Sequence, residues 1–508
     1  MTKTKSIMLA AAASLGLATS SLHAQDSGPL IDKLVQKGIL TDQEAEEVRA
    51  DLIKDFSTNT SAGKLNISSV ITEMKLSGDT RFRWQYDDQQ SQVASNTHVS
   101  QRSRFRFRLR LNADFKFVGD WFAGVGLETG QASDSANQTV DAGFADSNIY
   151  ISKWFLGKNV DDWGTFVIGK QKNPFYTTDL VWDADINPVG LTESVAFHKL
   201  FGGSPAEEAP APAIYSKDGG YSKDGKTVAP APSEPAGPGW GGFELTLVAG
   251  QFIYNTDATF TNDPGYNEEY PRNKANFPDS DASNDVYMFV QQLIASYKFN
   301  SKTSVTLAPG FMISNAGVLI GFNNETPYND VLTDGFYIGA SRDLAIITAP
   351  GDFTFPLGPL KGKLYWDFAY NVNGEDRFYD VYNFFTSISP EGELRGYSDK
   401  DGLAWLVGLE VGAGKGTGAW TLFVNYRETG VASVDPNLND SDFALGKLNT
   451  RGFKFGATYG ITDFVSLGVT GFVTWNLDEN GFSGPSNSTA IENRNAVNTV
   501  QVDLNWKF

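Results

Sequence analysis

The sequence predicts an all-β protein: a transmembrane antiparallel β-barrel of about sixteen strands that follows a short N-terminal helical segment. Three observations support this fold. Charged and apolar residues alternate along segments of strand length, short and long connections alternate along the chain, and a final amphipathic strand ends in phenylalanine. Together they favour strands that present one face to lipid and the other face to water.

Alternation is strongest from Arg102 to Leu111, where every even position from 102 to 110 is arginine and the odd positions, apart from Ser103, are apolar. Successive side chains of a strand point to opposite faces, so this segment has one charged and one apolar face. The preceding segment repeats the pattern. The arginines predicted to share one surface are Arg81, Arg83, Arg102, Arg104, Arg106, Arg108 and Arg110.

This pattern alone allows two interpretations. A soluble β-sandwich would bury the apolar face in its core and expose the arginines to bulk water. A membrane barrel would turn the apolar face to lipid and the arginines to a water-filled lumen. The rest of the chain distinguishes the two.

The N-terminus predicts export. Lys3 and Lys5 precede an apolar run and small residues that end at Ala24, the features of a secretory signal peptide over residues 1–24. No later segment has the roughly 20 apolar residues that a spanning helix needs. The chain has no cysteine, so no disulfide framework is expected. With 41 basic and 60 acidic residues, the balance of charge argues against a nucleic-acid partner.

Residues 25–56 are the one region with helical periodicity. Gly38 is a natural helix stop, and Thr41 with Glu44 forms a capping box that opens a second helix. We expect this helix-turn-helix to lie in the periplasm, as a spacer or as a small oligomerisation or cell-wall contact. Residues 57–73 are interpreted as a linker, and the barrel is predicted over 74–508.

The connections between the strand-like segments support a barrel more strongly than the strands do. Short turns, as at 118–120, 300–302 and 462–463, alternate with connections of about fourteen to thirty residues. Periplasmic turns and extracellular loops of a barrel produce this parity, whereas a sandwich has no reason to keep it. One turn departs from it, a Pro-rich insert at 202–239 predicted on the periplasmic side.

The chain ends on an amphipathic strand whose last residue is Phe508. Such an ending resembles the signal by which the barrel assembly machinery recognises outer-membrane barrels. With the export signal and the loop parity, it favours the barrel.

An acidic connection of 173–190 joins the fifth and sixth predicted strands. If it folds outward, it is another solvated loop. If it folds into the lumen, its aspartates face the arginines of the first two strands and set a transverse field across a narrow passage.

The chain resembles the putative porins of Gram-negative bacteria, which are similar in plan to sixteen-stranded general porins and phosphate-selective porins. The resemblance rests on the 34–41 region, the Arg-rich second strand, the 169–175 segment, the 179–191 loop and Phe508. It implies an inward-folded loop that narrows the pore and a homotrimer. The roles it implies are a lumen wall for the seven arginines and a constriction for Asp179, Asp183, Asp185 and Glu193.

The resulting expectation is an outer-membrane channel for passive diffusion of small hydrophilic solutes and ions, among outer-membrane lipids and lipopolysaccharide. The alternatives are an anion- or phosphate-selective channel and a non-conducting adhesin or structural barrel. Outside the signal peptide the histidines are His98 and His198, and the sequence shows no nucleophile elbow and no cluster of metal ligands. We therefore expect neither an enzyme nor a cofactor.

Overall fold

The computed structural model describes two compact units, Met1–Ser69 and Val70–Phe508. The described residues of the first unit are 35, 37, 40, 41, 43–48, 68 and 69. Those of the second are 70–91, 97–130, 135–140, 146–201, 242–255, 286–314, 318–320, 338–341, 344–379, 396–435, 438–446, 448–477 and 496–508. The predicted signal peptide, most of the linker and the insert at 202–239 lie outside these residues.

The second unit is a closed antiparallel barrel of sixteen strands, which confirms the predicted fold and matches the predicted strand-like segments one to one. Pairing of the last strand with the first closes the barrel, with Arg83 opposite Asp503. The strands are β1 Ile71–Ser91, β2 Thr97–Phe117, β3 Trp121–Glu128, β4 Tyr150–Val160, β5 Gly164–Lys170, β6 Val189–Ala196, β7 Phe243–Asn255, β8 Val286–Asn300, β9 Thr303–Leu307 with Gly310–Ser314, β10 Leu344–Thr348 with Gly351–Leu357, β11 Leu360–Asn371, β12 Leu403–Gly412, β13 Trp420–Thr429, β14 Thr450–Gly460, β15 Val465–Asn476 and β16 Ala496–Lys507.

Strands β9 and β10 are each interrupted at a proline. Pro309 and Pro350 have no N–H to donate to a neighbouring strand, so the regular ladder breaks at these positions. Their carbonyls still accept bonds, from Leu293 N at 2.9 Å and from Ala308 N at 2.8 Å. The interruptions therefore bend the wall without opening it.

The two faces of the strands meet different surroundings. Phe82 and Phe105 on the outer face are 45% and 51% exposed, whereas Arg81 on the inner face is fully buried. The same outward apolar pattern continues on β12 to β16, as at Val407, Phe455 and Val469. A soluble sandwich would seal the phenylalanines inside, so the structure agrees with the membrane interpretation of the alternating pattern.

The first hairpin is longer than the two strand-like segments that the sequence predicts for it, 74–86 and 101–117. Strands β1 and β2 have 21 residues each, so the connection between them is reduced to 92–96. The ladder continues as far as Ser91 opposite Thr97. Arg102 also bonds Asp87 across the two strands, with Nη2 to Oδ2 at 3.0 Å, which supports pairing beyond the predicted strand end.

In the first unit, residues 43–48 are helical and the predicted capping box is present. The Thr41 backbone N–H donates to Glu44 Oε2 at 2.8 Å, and the Glu44 N–H donates to Thr41 Oγ1 at 3.3 Å. The backbone bond from Thr41 lowers the pKa of Glu44. None of the described helices is long and apolar enough to cross a membrane.

Closure of the barrel depends on a glycine beside the chain end. Gly78 and Phe508 exchange backbone hydrogen bonds of 2.9 and 3.0 Å, and a Cβ at Gly78 would lie 2.6 Å from the Phe508 ring and 2.5 Å from the Arg110 carbonyl. We expect Gly78→Ala to destabilise the barrel by about 1–3 kcal/mol, the usual cost of overpacking. Denaturant unfolding followed by tryptophan fluorescence measures this. The matched control is Gly396→Ala, where a Cβ would meet nothing described within 4 Å; equal stability of the two variants would contradict the role of Gly78.

Candidate functional site

The connection between β5 and β6, residues 171–188, lies inside the barrel and is called inner loop 1. Leu180, Val181 and Trp182 are almost fully buried. They form one apolar cluster with inward-facing residues of the wall, as the Trp182 and Phe252 rings show at 6.2 Å. The wall residues of this cluster, on β7 to β12, are Val248, Phe252, Met288, Val290, Met312, Leu344, Ile346, Ala369, Ala404 and Leu406. Burial of this apolar surface holds the loop against one side of the lumen.

Polar side chains of the wall fix the backbone of inner loop 1. Gln292 on β8 accepts from the Tyr176 N–H at 2.7 Å and donates to the Tyr176 carbonyl at 2.8 Å. Asp367 on β11 accepts from Thr178 Oγ1 at 2.7 Å. The Tyr176 hydroxyl also donates to Asp352 on β10. These bonds pair loop groups that would otherwise be buried without partners.

A second connection, residues 430–449 between β13 and β14, also folds inward and is called inner loop 2. Its described residues include Val434 and Asp440, which are fully buried. Asn371 on β11 donates to the Ala432 carbonyl at 2.7 Å, and the Tyr254 hydroxyl on β7 donates to Asp435 at 2.8 Å. Inner loop 2 therefore reaches across the lumen from its own strands to the opposite wall.

The two inner loops bond to each other through their backbones. The Asp183 N–H donates to the Leu438 carbonyl at 2.5 Å, and the Asp440 N–H donates to the Asp179 carbonyl at 2.9 Å. The inward fold of inner loop 2 was not predicted from the sequence. Its signal was present, since this connection mixes apolar residues with Asp435, Asp440 and Asp442 much as inner loop 1 does.

Four charged groups join the two loops to the wall. Asp179 of inner loop 1 and Asp440 of inner loop 2 both bond Arg427 on β13, at 2.9 and 3.4 Å. Both also bond Lys454 on β14, the second at 3.1 Å. Burial alone would raise the pKa of Asp179, but Arg427 and Lys454 outweigh it and hold the pKa well below its usual range. Asp179 therefore stays ionised at neutral pH.

All seven predicted arginines lie on the inner face of β1 and β2, but they differ in exposure. Arg81, Arg83, Arg106 and Arg108 are 3% exposed or less. The side chains of Arg110 and Arg102 are 24% and 36% exposed. Four of the seven thus lie beneath other groups, while Arg110 and Arg102 are the more accessible to water.

Most of the carboxylates that pair with these arginines belong to the wall. Asp79 on β1 bonds Arg108 and Arg110 at 2.7 and 2.8 Å, Asp87 bonds Arg102, and Asp503 on β16 bonds Arg83 at 2.7 Å. Residues 135–137 fold over Arg81 and Arg106, with Asn137 bonding both. The arginine face is therefore largely an internal polar core.

The predicted constriction residues separate into three positions. Asp185 reaches the arginine face and bonds Arg110 at 3.2 Å, as expected of an inward loop. Asp179 instead pairs with the cations of β13 and β14, which the sequence analysis did not name. Asp183 is fully buried, and its Oδ1 accepts the Asp185 N–H at 3.0 Å, so it shapes the loop.

Glu193 is not part of this assembly. It lies on β6 directly opposite Phe166, whose ring is 45% exposed on the outer face. Residues directly opposite in an antiparallel pair share a face, so Glu193 points outward. Thr192 beside it is buried toward the lumen.

Among the described residues, no group of carboxylates, histidines or cysteines could hold a metal ion. The two inner loops occupy part of the lumen. Inner loop 1 packs on β7 to β12, and Asp185 and Asp442 attach the loops to Arg110 and Arg83 on the arginine face.

A family model described as "Putative porin" matches residues 57–312 and 358–508, well over half of the chain. The chain belongs to the putative-porin family. As a porin, it is an outer-membrane channel protein of a Gram-negative bacterium, and family and fold indicate a channel rather than an enzyme.

Several solved porin structures are similar in outline. Pseudomonas putida OprB at high pH is 10% identical over 86% of this chain and 94% of that chain, with a TM-score of 0.43. Salmonella typhi OmpF in complex with daunomycin is 9% identical over 87% and 99%, with a TM-score of 0.41. The trimer form of Vibrio cholerae OmpT is 10% identical over 86% and 99%, with a TM-score of 0.39. No curated protein matches the chain.

The charge on Asp179 predicts how the stability of this porin depends on pH. A carboxyl with a lowered pKa stabilises the folded state above its unfolded pKa of about 3.9, and this contribution is lost as the pH falls further. We expect Asp179→Asn to lower stability at neutral pH by about 3–5 kcal/mol, because it leaves Arg427 and Lys454 undercompensated. The difference from the wild type should shrink below about pH 4.

Denaturant unfolding of both proteins at several pH values between neutral and acidic measures this difference. Asp162→Asn, in the exposed turn between β4 and β5, is the control and should follow the wild type throughout. A constant difference between Asp179→Asn and the wild type at every pH would contradict the assignment.

Proposed function

We propose that this porin carries small hydrophilic solutes and ions by passive diffusion through a passage along the wall formed by β16, β1, β2, β3 and β4. The main support for this passage is that inner loop 1 packs its apolar cluster on the wall of β7 to β12 and so fills that side of the lumen. The opposite wall keeps partly exposed charges instead. They stand in one cross-strand row, Lys507, Asp79, Arg110 and Glu128.

Arg110 of the wall and Asp185 of inner loop 1 meet directly at one edge of this passage. Their 3.2 Å ion pair supports the proposed constriction role of Asp185, because it joins the loop to the wall at the charged row. Asp183 supports that role through its bond to the Asp185 backbone. Asp179 contributes by holding inner loop 1 in place. The buried arginines, in turn, keep the wall closed around the passage.

The surroundings of the proposed channel follow from the same assignment. We propose that the signal peptide directs export, that Phe508 engages the barrel assembly machinery, and that the outer face contacts outer-membrane lipid and lipopolysaccharide. The exposed ring of Phe508 beside Gly78 supports the contact with the assembly machinery, and the outward apolar band supports the contact with lipid. We also propose a homotrimer, as the family resemblance implies.

Single-channel recording from the purified full chain in planar bilayers tests the proposal. Stepwise currents, with swelling of liposomes in small sugars, are the expected result. A protein that inserts without conducting would instead be the adhesin or structural barrel that the sequence left open.

Anion selectivity is a second candidate that one observation favours. Among the described residues, Lys153 and Lys172 form no ion pair, although both lie near Arg110. The Lys153 side chain lies over Gly126, where an added Cβ would be 2.7 Å from its Cε. Two cations beside the passage that lack a close ion pair would attract anions.

Neutralising Lys153 measures this preference. A unit charge about 4 Å from a passing ion favours an anion and disfavours a cation by about 1 kcal/mol each in water, which is about fivefold for each ion. Lys153→Gln should therefore lower the anion-to-cation permeability ratio about 25-fold. Reversal potentials in a salt gradient give the ratio. Lys158→Gln is the control because Lys158 lies on the outer face, 5.2 Å from the Trp121 ring centroid. Equal ratios in the two variants would count against an anion-selective wall.

Lys172 adds a pH dependence. Burial, reinforced by Lys153 and Arg110, lowers the pKa of Lys172 to about 8. Its positive charge is therefore complete well below pH 8 and is lost above it. We expect the anion preference of the wild type to fall between about pH 7 and pH 9. Lys172→Gln should show the lower preference at every pH, and a parallel fall in that variant would exclude Lys172 as the titrating group.

A further inference from the structure

A small polar patch interrupts the apolar outer face of the barrel. Glu193 on β6, Ala249 on β7 and Gln291 on β8 stand in one cross-strand row that begins at Phe166 and ends at Phe311. Gln251 is two residues from Ala249 on the same face and donates to Glu193 Oε2 at 3.0 Å. We call Glu193, Gln251 and Gln291, with Ala249 between them, the polar island.

The island lies in the middle of its strands rather than at their ends. Glu193 is the fifth of the eight residues of β6, and Gln291 is the sixth of the fifteen residues of β8. Exposed apolar groups surround it, among them Leu191, Phe289 and Leu293. The island thus falls within the band that faces hydrocarbon.

Other outward charges of the described strands have a different setting. Lys158 lies 5.2 Å from the Trp121 ring, and Arg451 lies 5.7 Å from the Trp475 ring, both near strand ends. Glu428, near the end of β13, accepts from Trp405 Nε1 at 3.2 Å. Such positions belong to the aromatic girdles, where polar head groups and water are within reach.

Lipid hydrocarbon cannot form hydrogen bonds with the polar groups of the island. A carboxylate and two amides exposed to lipid at this depth cost free energy because lipid offers no hydrogen bonds. One internal bond, from Gln251 to Glu193, leaves the second carboxylate oxygen and the exposed Gln291 amide to find partners elsewhere.

We propose that the polar island is a contact surface for a second copy of this chain. The island carries both an acceptor, the Glu193 carboxylate, and a donor, the Gln291 amide, so two copies of it are complementary to each other. Islands that face a common symmetry axis meet their own copies, and the carboxylate of one protomer accepts the amide of the next. This places the axis of the proposed homotrimer beside β6 to β8, and the inference deepens that part of the proposed function.

The absence of cysteine from the sequence allows a direct test by cross-linking. Ala249→Cys puts a single thiol at the centre of the island, and Val407→Cys puts one on β12, where the side chain is 46% exposed on the outer face. In outer-membrane vesicles that hold the full chain, a short flexible bis-maleimide should convert Ala249→Cys to linked dimers. Val407→Cys should stay monomeric on a denaturing gel.

A second measurement separates an interface from a lipid-exposed defect. Glu193→Leu should lower the temperature at which the oligomer dissociates on a gel, and Glu193→Gln, which keeps an acceptor, should restore most of it. If the island faces lipid, Glu193→Leu leaves oligomer dissociation unchanged or strengthens the barrel. Either that result, or cross-linking of Ala249→Cys no better than that of Val407→Cys, overturns the proposal.

Channel conductance keeps this outcome distinct from the function of the pore. Wild-type currents with a failed cross-link would reject the island as an interface and leave the channel intact. A cross-linked oligomer that carries no current would support the island as an interface and reject the channel function.

Discussion

The neutralisation of buried charge inside the barrel is the constraint on which the rest of the structure depends. Guanidinium groups on adjacent strands repel one another, and four of them are almost completely removed from water. Their carboxylate partners come from three sources: the wall itself at Asp79, the last strand at Asp503, and the inner loops at Asp185 and Asp442. The same bonds that compensate the arginines thus join β16 to β1 and attach both loops to the wall.

Most of the fold could be predicted because its determinants are local. Alternation with a period of two follows from the geometry of a single strand. The faces of Phe105 and Arg106 can therefore be predicted without knowing which strands pair with theirs. The alternation of short turns and long loops can likewise be seen directly in the order of segments along the chain. The extension of β1 and β2 was missed because cross-strand bonds such as that between Asp87 and Arg102 depend on register.

The site was less predictable because its contacts join residues far apart in sequence. Asp179 meets Arg427 and Lys454, and nothing near position 179 identifies those partners. The mixed composition of inner loop 2 could suggest an inward fold, but its contacts with inner loop 1, Tyr254 and Asn371 join residues far apart in sequence and could not be predicted from it. Glu193 is different, because the alternation of Leu191, Glu193 and Val195 already predicts that it faces outward. The family resemblance had instead implied a place in the constriction.

The two loops also differ in what holds them, which bears on how the passage keeps its shape. Inner loop 1 is attached to β7 to β12 both by apolar burial and by hydrogen bonds to wall side chains such as Gln292 and Asp367. The charge cluster adds a direct link between the two loops. Arg427 and Lys454 stand on the two strands from which inner loop 2 departs and returns, and each bonds one aspartate from each loop.

Each loop therefore limits the movement of the other. The positions of both loops depend on the distance between two adjacent strands, β13 and β14, which carry Arg427 and Lys454. That spacing is fixed by the backbone ladder of β13 and β14. A displacement of either loop toward β1 to β4 would have to separate buried opposite charges, which is costly. The width of the proposed passage would consequently be set by the wall of the barrel, even though loops form part of its boundary.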